Sequence, residues 1–142
     1  MLKKTIIAMA MCLLSAKIAS AQVAVIAHKD VPVDTIKRSD LLNLYTLDIK
    51  SWNNGTSVIV FDLKEKSDEK EMFYEYLGKT TSRMKLIWMK KLLSGEGNKP
   101  EALANDDEML KKVASTPGAI GFVPQNKLKQ DVKMLLVINK EE

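Results

Sequence analysis

Cysteine is nearly absent from this chain; the one copy among 142 residues is Cys12. It sits inside a stretch with the form of an export leader. The rest of the chain therefore has no disulfide, no thiolate metal ligand and no cysteine nucleophile. Histidine is as scarce: His28 stands alone, and the nearby Asp30 and Asp34 are not at metal-ligand spacing, so neither a metal nor a cofactor is expected. Aromatic residues are 6% of the chain, which is thin for the stacking platforms that hold single-stranded nucleic acid. Long apolar runs are missing too. The run from Ile6 to Leu14 is far short of the ~20 residues of a membrane-spanning helix.

That run follows Lys3 and Lys4 and precedes Ala19-Ser20-Ala21, a small-x-small cleavage pattern. Residues 1–21 are expected to be a signal peptide cut between Ala21 and Gln22, leaving a domain over 22–142 in the periplasm or secreted. Met11, where a lipoprotein signal needs a small residue, argues against lipid on Cys12. Losing Lys3, Lys4 and Lys17 lowers the 22 basic residues to 19 against 18 acidic, so the net charge falls from +4 to +1. Such a balance gives no support to nucleic-acid binding.

What is present is an alternation of strand and helix patterns. Val23–Ala27, Ser57–Phe61, Ala119–Val123 and Met134–Ile138 are apolar, β-branched runs that predict strands. Helices are predicted around Ile36–Tyr45 with Ser39 as a cap, from Ser67 to Leu77, from Thr80 to Leu93, and from Asn105 or Asp106 to Ala114. Lys70, Glu71 and Glu75 read as a solvated face, as do Lys85, Lys90 and Lys91; Tyr45 and Trp52 read as core. Ser94–Pro100 is a loop. Thr116-Pro117-Gly118 ends the last helix, since proline disfavours helical geometry before it and glycine turns the chain at positive φ. Gly121 lets another group approach the strand closely. The expected fold is a single α/β domain, a small mixed sheet flanked by helices.

Two ordered stretches resemble the phosphate-binding periplasmic solute-binding proteins of ABC transporters. One is Ile36-x-x-x-x-Leu41-x-x-Leu44-Tyr45 with Trp52-Asn53-Asn54-Gly55; the other is Glu108-Met109-x-x-x-Val113-Ala114-x-Thr116-Pro117-Gly118-Ala119-Ile120-Gly121-Phe122, with Phe73 between them. The resemblance runs from about Val23 to Ile138 and implies one lobe of a fold that normally closes two lobes on an oxyanion. It also implies an anion seat, built in that family from an arginine and, four residues on, Ser-Gly-Thr at a helix start. Counted back from Phe73, these positions hold Leu63 and Ser67-Asp68-Glu69. Only the serine matches. Each acidic residue at ~4 Å from a bound anion costs about 1–4 kcal/mol, depending on screening.

The expected function is a non-enzymatic, solute-binding-protein-like domain that takes phosphate or another small anion for transport or sensing. Its candidate ligand residues are Ser67, Asp68, Glu69, Thr116 and Gly118. The alternative is a ligand-less adaptor or sensory partner of a membrane or envelope protein. A hydrolase using Ser67 with Asp62 or Asp68, or the carboxylates Asp106 and Asp107, is the remote alternative: a serine needs a base within reach, and helix capping accounts for the aspartates. Oligomeric state is open.

Overall fold

The computed structural model describes residues 21–140, so the expected leader, apart from Ala21, lies outside it. In chain order the elements are β1 (Gln22–Ala27), α1 (Arg38–Tyr45), β2 (Ile59–Leu63), α2 (Asp68–Tyr76), α3 (Thr81–Leu93), β3 (Glu101–Leu103), α4 (Asp106–Ser115), β4 (Ala119–Pro124), a 3-10 turn (Gln125–Lys127) and β5 (Lys133–Asn139). They form one five-stranded sheet in the order β3-β2-β4-β1-β5. β2 runs parallel to β3 and β4, while β1 is antiparallel to both β4 and β5, with a register break at Val25/Ile26 on the β5 side.

β1 beyond Gln22 and all of β4 are apolar because the sheet is covered on both faces there. Side chains alternate along β4, so Gly121 and Phe122 face opposite ways. Gly121 faces α4, where an added Cβ would lie 2.5 Å from Met109 Sδ, and this is the close approach expected of it. Phe122 stacks on Phe73 of α2 at 4.1 Å between ring centroids, and Tyr45 meets Phe73 edge-on at 4.7 Å. Tyr45 and Trp52 are buried as expected. The Tyr45 hydroxyl donates to the Phe61 carbonyl at 2.8 Å, and the Trp88 indole donates to the Tyr45 carbonyl at 2.7 Å.

Three expectations need correction, and one strand has no counterpart among them. Lys37, not Ser39, is the N-cap of α1, and no side chain caps it. β2 begins at Ile59; Ser57 only bridges Ser51. Glu101–Leu103 is a strand with no strong sequence signal, recruited because β2 offers it a parallel edge. Lys70 is buried rather than solvated, for a reason given below.

Candidate functional site

Two chain reversals meet at the carboxyl ends of the parallel strands. β2 ends at Leu63 and runs through Glu65-Lys66-Ser67 into α2; β3 ends at Leu103 and runs through Ala104-Asn105 into α4. The Lys64 amide donates to the Leu103 carbonyl at 2.9 Å and ties the two exits together. Between the helix starts lies an open cleft of about 270 Å³, lined by Ser67, Glu69, Asn105, Asp106, Asp107 and Lys127 among others. Open α/β sheets place ligands at this edge, where helix N-termini carry partial positive charge.

Both helix starts are already served by their own side chains. Ser67 accepts from the Lys70 amide at 3.2 Å, and Asn105 from the Glu108 amide at 2.9 Å. Glu108 in turn accepts from the Ala104 amide at 2.9 Å, a reciprocal cap. First-turn acids crowd both: Asp68, Glu69 and Glu71 on α2, Asp106, Asp107 and Glu108 on α4. Lys127 lies 3.2 Å from Asp106 and is partly neutralised by it. Lys66 also lines the cleft, exposed and outside any ion pair among the described residues, but Glu65, Glu69, Asp106 and Asp107 outnumber Lys66 and Lys127, so the cleft is acidic on balance.

Of the expected site residues, Ser67 and Glu69 line this cleft and Asp68 sits exposed beside it. Thr116 and Gly118 are elsewhere. Gly118 accepts from the Ile59 amide at 3.1 Å and from the Trp52 indole at 2.9 Å, at the amino ends of β2 and β4. The length of β2, about 13 Å at a normal strand rise, separates that corner from Ser67. The two halves of the expected site therefore do not converge.

A buried cluster joins the end of β2 to α2. The Tyr74 hydroxyl donates to Asp62 Oδ1 at 2.7 Å, and Lys70 Nζ lies 3.4 Å from Asp62 Oδ2 and donates to the Leu63 carbonyl at 2.6 Å. Burial first, then the Asp62 carboxylate, pushes the Tyr45 and Tyr74 hydroxyls well above the ordinary tyrosine range. An acidic residue inside the apolar run Ile59-Val60-Phe61-Asp62-Leu63 was the available signal that a cation had to come to it. Neither Asp62 nor Ser67 is poised for hydrolysis: the first is held by Lys70 and Tyr74, the second is a helix cap, and His28 follows the end of β1, a strand two places from β2 in the sheet.

No protein-family model and no curated protein matches the sequence. The fold does match solved structures. A candidate phosphate ABC transporter substrate-binding protein from Clostridium perfringens, with bound phosphate, superposes at a TM-score of 0.67 and 17% identity, over 81% of this chain and 44% of that one. An ABC-type phosphate transport receptor from Vibrio cholerae gives 0.65 at 16% identity, over 81% and 45%. PstS from Borrelia burgdorferi gives 0.61 at 12%, over 81% and 46%. The chain thus has a periplasmic-binding-protein-like fold and spans less than half the length of each of these proteins.

Proposed function

We propose that this chain is a solute-binding-protein-like domain of the cell envelope that works by binding and performs no catalysis. The observation that carries the reading is the open cleft between two helix N-termini at the carboxyl ends of β2 and β3, on this fold. Phosphate or another small anion is the ligand class that the fold neighbours support. The open cleft leaves such a ligand exposed to water, and Glu69, Asp106 and Asp107 oppose its charge, so the hold is weak. Export by the leader at residues 1–21 belongs to the same reading. Calorimetric titration with phosphate and sulfate tests it: weak, saturable heat is expected, and no heat with either anion overturns the small-anion assignment.

A second reading is favoured by the self-capped, acid-lined helix starts: the domain has given up its small ligand and serves as an adaptor or sensory partner of an envelope protein. Tight phosphate binding, in the micromolar range or below, would exclude it.

A further inference from the structure

α3 carries an excess of apolar surface. Its buried side holds Met84 and Trp88, yet Leu86, Met89, Leu92 and Leu93 are 59%, 58%, 51% and 81% exposed. Four large apolar side chains along one side of a thirteen-residue helix form a patch of the kind that marks an interaction surface. The patch is not flat. Met89 and Leu92 form one wall of a groove of about 730 Å³, whose other wall is the β2–β3 edge with Pro100 and Ala102. Its floor is Trp88 and the Asp62–Lys70 pair, which presents almost no net charge to an occupant.

The rim is basic. Lys64, Lys85 and Lys99 surround the groove, are exposed, and form no ion pair among the described residues. An apolar trough with three free ammonium groups on its rim is complementary to a helix with an apolar face and carboxylates beside it. A second copy of the chain fits poorly. α3 has no acidic residue and carries Arg83, Lys85 and Lys90, so pairing two α3 faces across a twofold axis sets like charges against each other. A planar bilayer fits poorly too, because the apolar trough is concave and walled by the sheet edge.

We propose that the groove between α3 and the β2–β3 edge docks an acidic amphipathic helix of a partner protein, apolar face down on Met89, Leu92 and Pro100 and carboxylates toward Lys64, Lys85 and Lys99. This deepens the adaptor reading by giving it a surface, and it does not depend on whether the cleft holds a solute.

The test titrates the protein with a labelled synthetic peptide of about five helical turns, leucines on one face and glutamates beside them. A twin peptide has lysine in place of each glutamate. Anisotropy is expected to show saturable binding of the acidic peptide only, with amide shifts confined to α3, residues 62–64, Lys70 and residues 98–102. Met89→Glu with Leu92→Glu should weaken binding at least tenfold, about 1.4 kcal/mol. Lys85→Glu with Lys99→Glu should shift preference to the twin. All four side chains are exposed, so circular dichroism should show an unchanged fold. Equal binding of the two peptides, shifts elsewhere, or no saturable binding overturns the proposal. So does sedimentation with phosphatidylglycerol vesicles in the absence of peptide binding, which would assign the patch to a membrane. Shifts at residues 67–69 on adding phosphate bear on the cleft alone, so the two readings fail separately.

Discussion

Lys70 stands on the first turn of α2 yet turns inward, its ammonium 3.4 Å from the Asp62 carboxylate and 2.6 Å from the Leu63 carbonyl oxygen. Both side chains are buried, and the Tyr74 hydroxyl completes the shell of Asp62. The lysine thereby fastens the start of α2 to the end of β2. A pair like this adds little against an apolar substitute, but losing one member strands the other.

Lys70→Met is therefore expected to destabilise the domain by about 3–5 kcal/mol. Adding Asp62→Asn should restore most of the loss, since the new amide oxygen still accepts from Tyr74 and no buried charge remains. Urea unfolding of the two single variants and the double variant measures this; additive losses would show that the pair is not coupled.

Alkaline pH should unfold the protein through Tyr45 and Tyr74. Burial and the Asp62 carboxylate raise both hydroxyls well above their unfolded value of 10.0. Stability is thus fully present below about pH 10 and falls above it, because the unfolded chain gives up these protons first. Each tyrosine contributes a slope of about 1.4 kcal/mol per pH unit in that window. Tyrosinate absorbance for both should rise together with the loss of helical circular dichroism, and not before it.

Two glycine substitutions should differ in cost. At Gly118 φ is +81° and an added Cβ would run into the Ser57 carbonyl oxygen, which is backbone and cannot swing away. Gly118→Ala should cost more than the ~1–2 kcal/mol of left-handed strain alone. At Gly121 the obstacle is chiefly the Met109 thioether, a flexible side chain, and the expected cost is about 1–3 kcal/mol, lessened by Met109→Ala. Thermal melts of both variants give the ranking.

Asp68→Gly with Glu69→Thr removes two negative charges from the start of α2 and returns the Ser-Gly-Thr pattern of the family that the sequence resembles. Phosphate affinity should rise at least tenfold, given about 1 kcal/mol or more for each charge removed near the anion. Unchanged affinity in calorimetry would place any bound phosphate away from residues 67–70.

Most of the sheet was legible because β1, β2, β4 and β5 are apolar runs bounded by polar residues, and Asn105, Thr80 and Ser67 mark helix starts by cap chemistry that acts within four residues. β3 was not legible: Glu101-Ala102-Leu103 has no strand preference and owes its state to β2 beside it. Lys70 was misread because lysine is nearly always solvated, and only the distant fact of a buried Asp62 reverses that. The candidate site was half legible. Ser67 and Glu69 line the cleft, but Asn105 and Lys127 reach it from a later part of the chain, and Thr116 and Gly118 belong to the opposite end of the strands. Spacing along a sequence does not tell which end of a sheet a loop occupies.

β1 is made early and yet lies between β4 and β5, the two strands made last. Its amides have no partners until residues 119–139 have emerged, so a chain delivered amino end first cannot close its sheet partway through delivery. Closure of the sheet therefore waits on residues 119–139. The same wiring leaves a chain interrupted before Lys133 with an apolar strand open on one side, ready to pair with a neighbour.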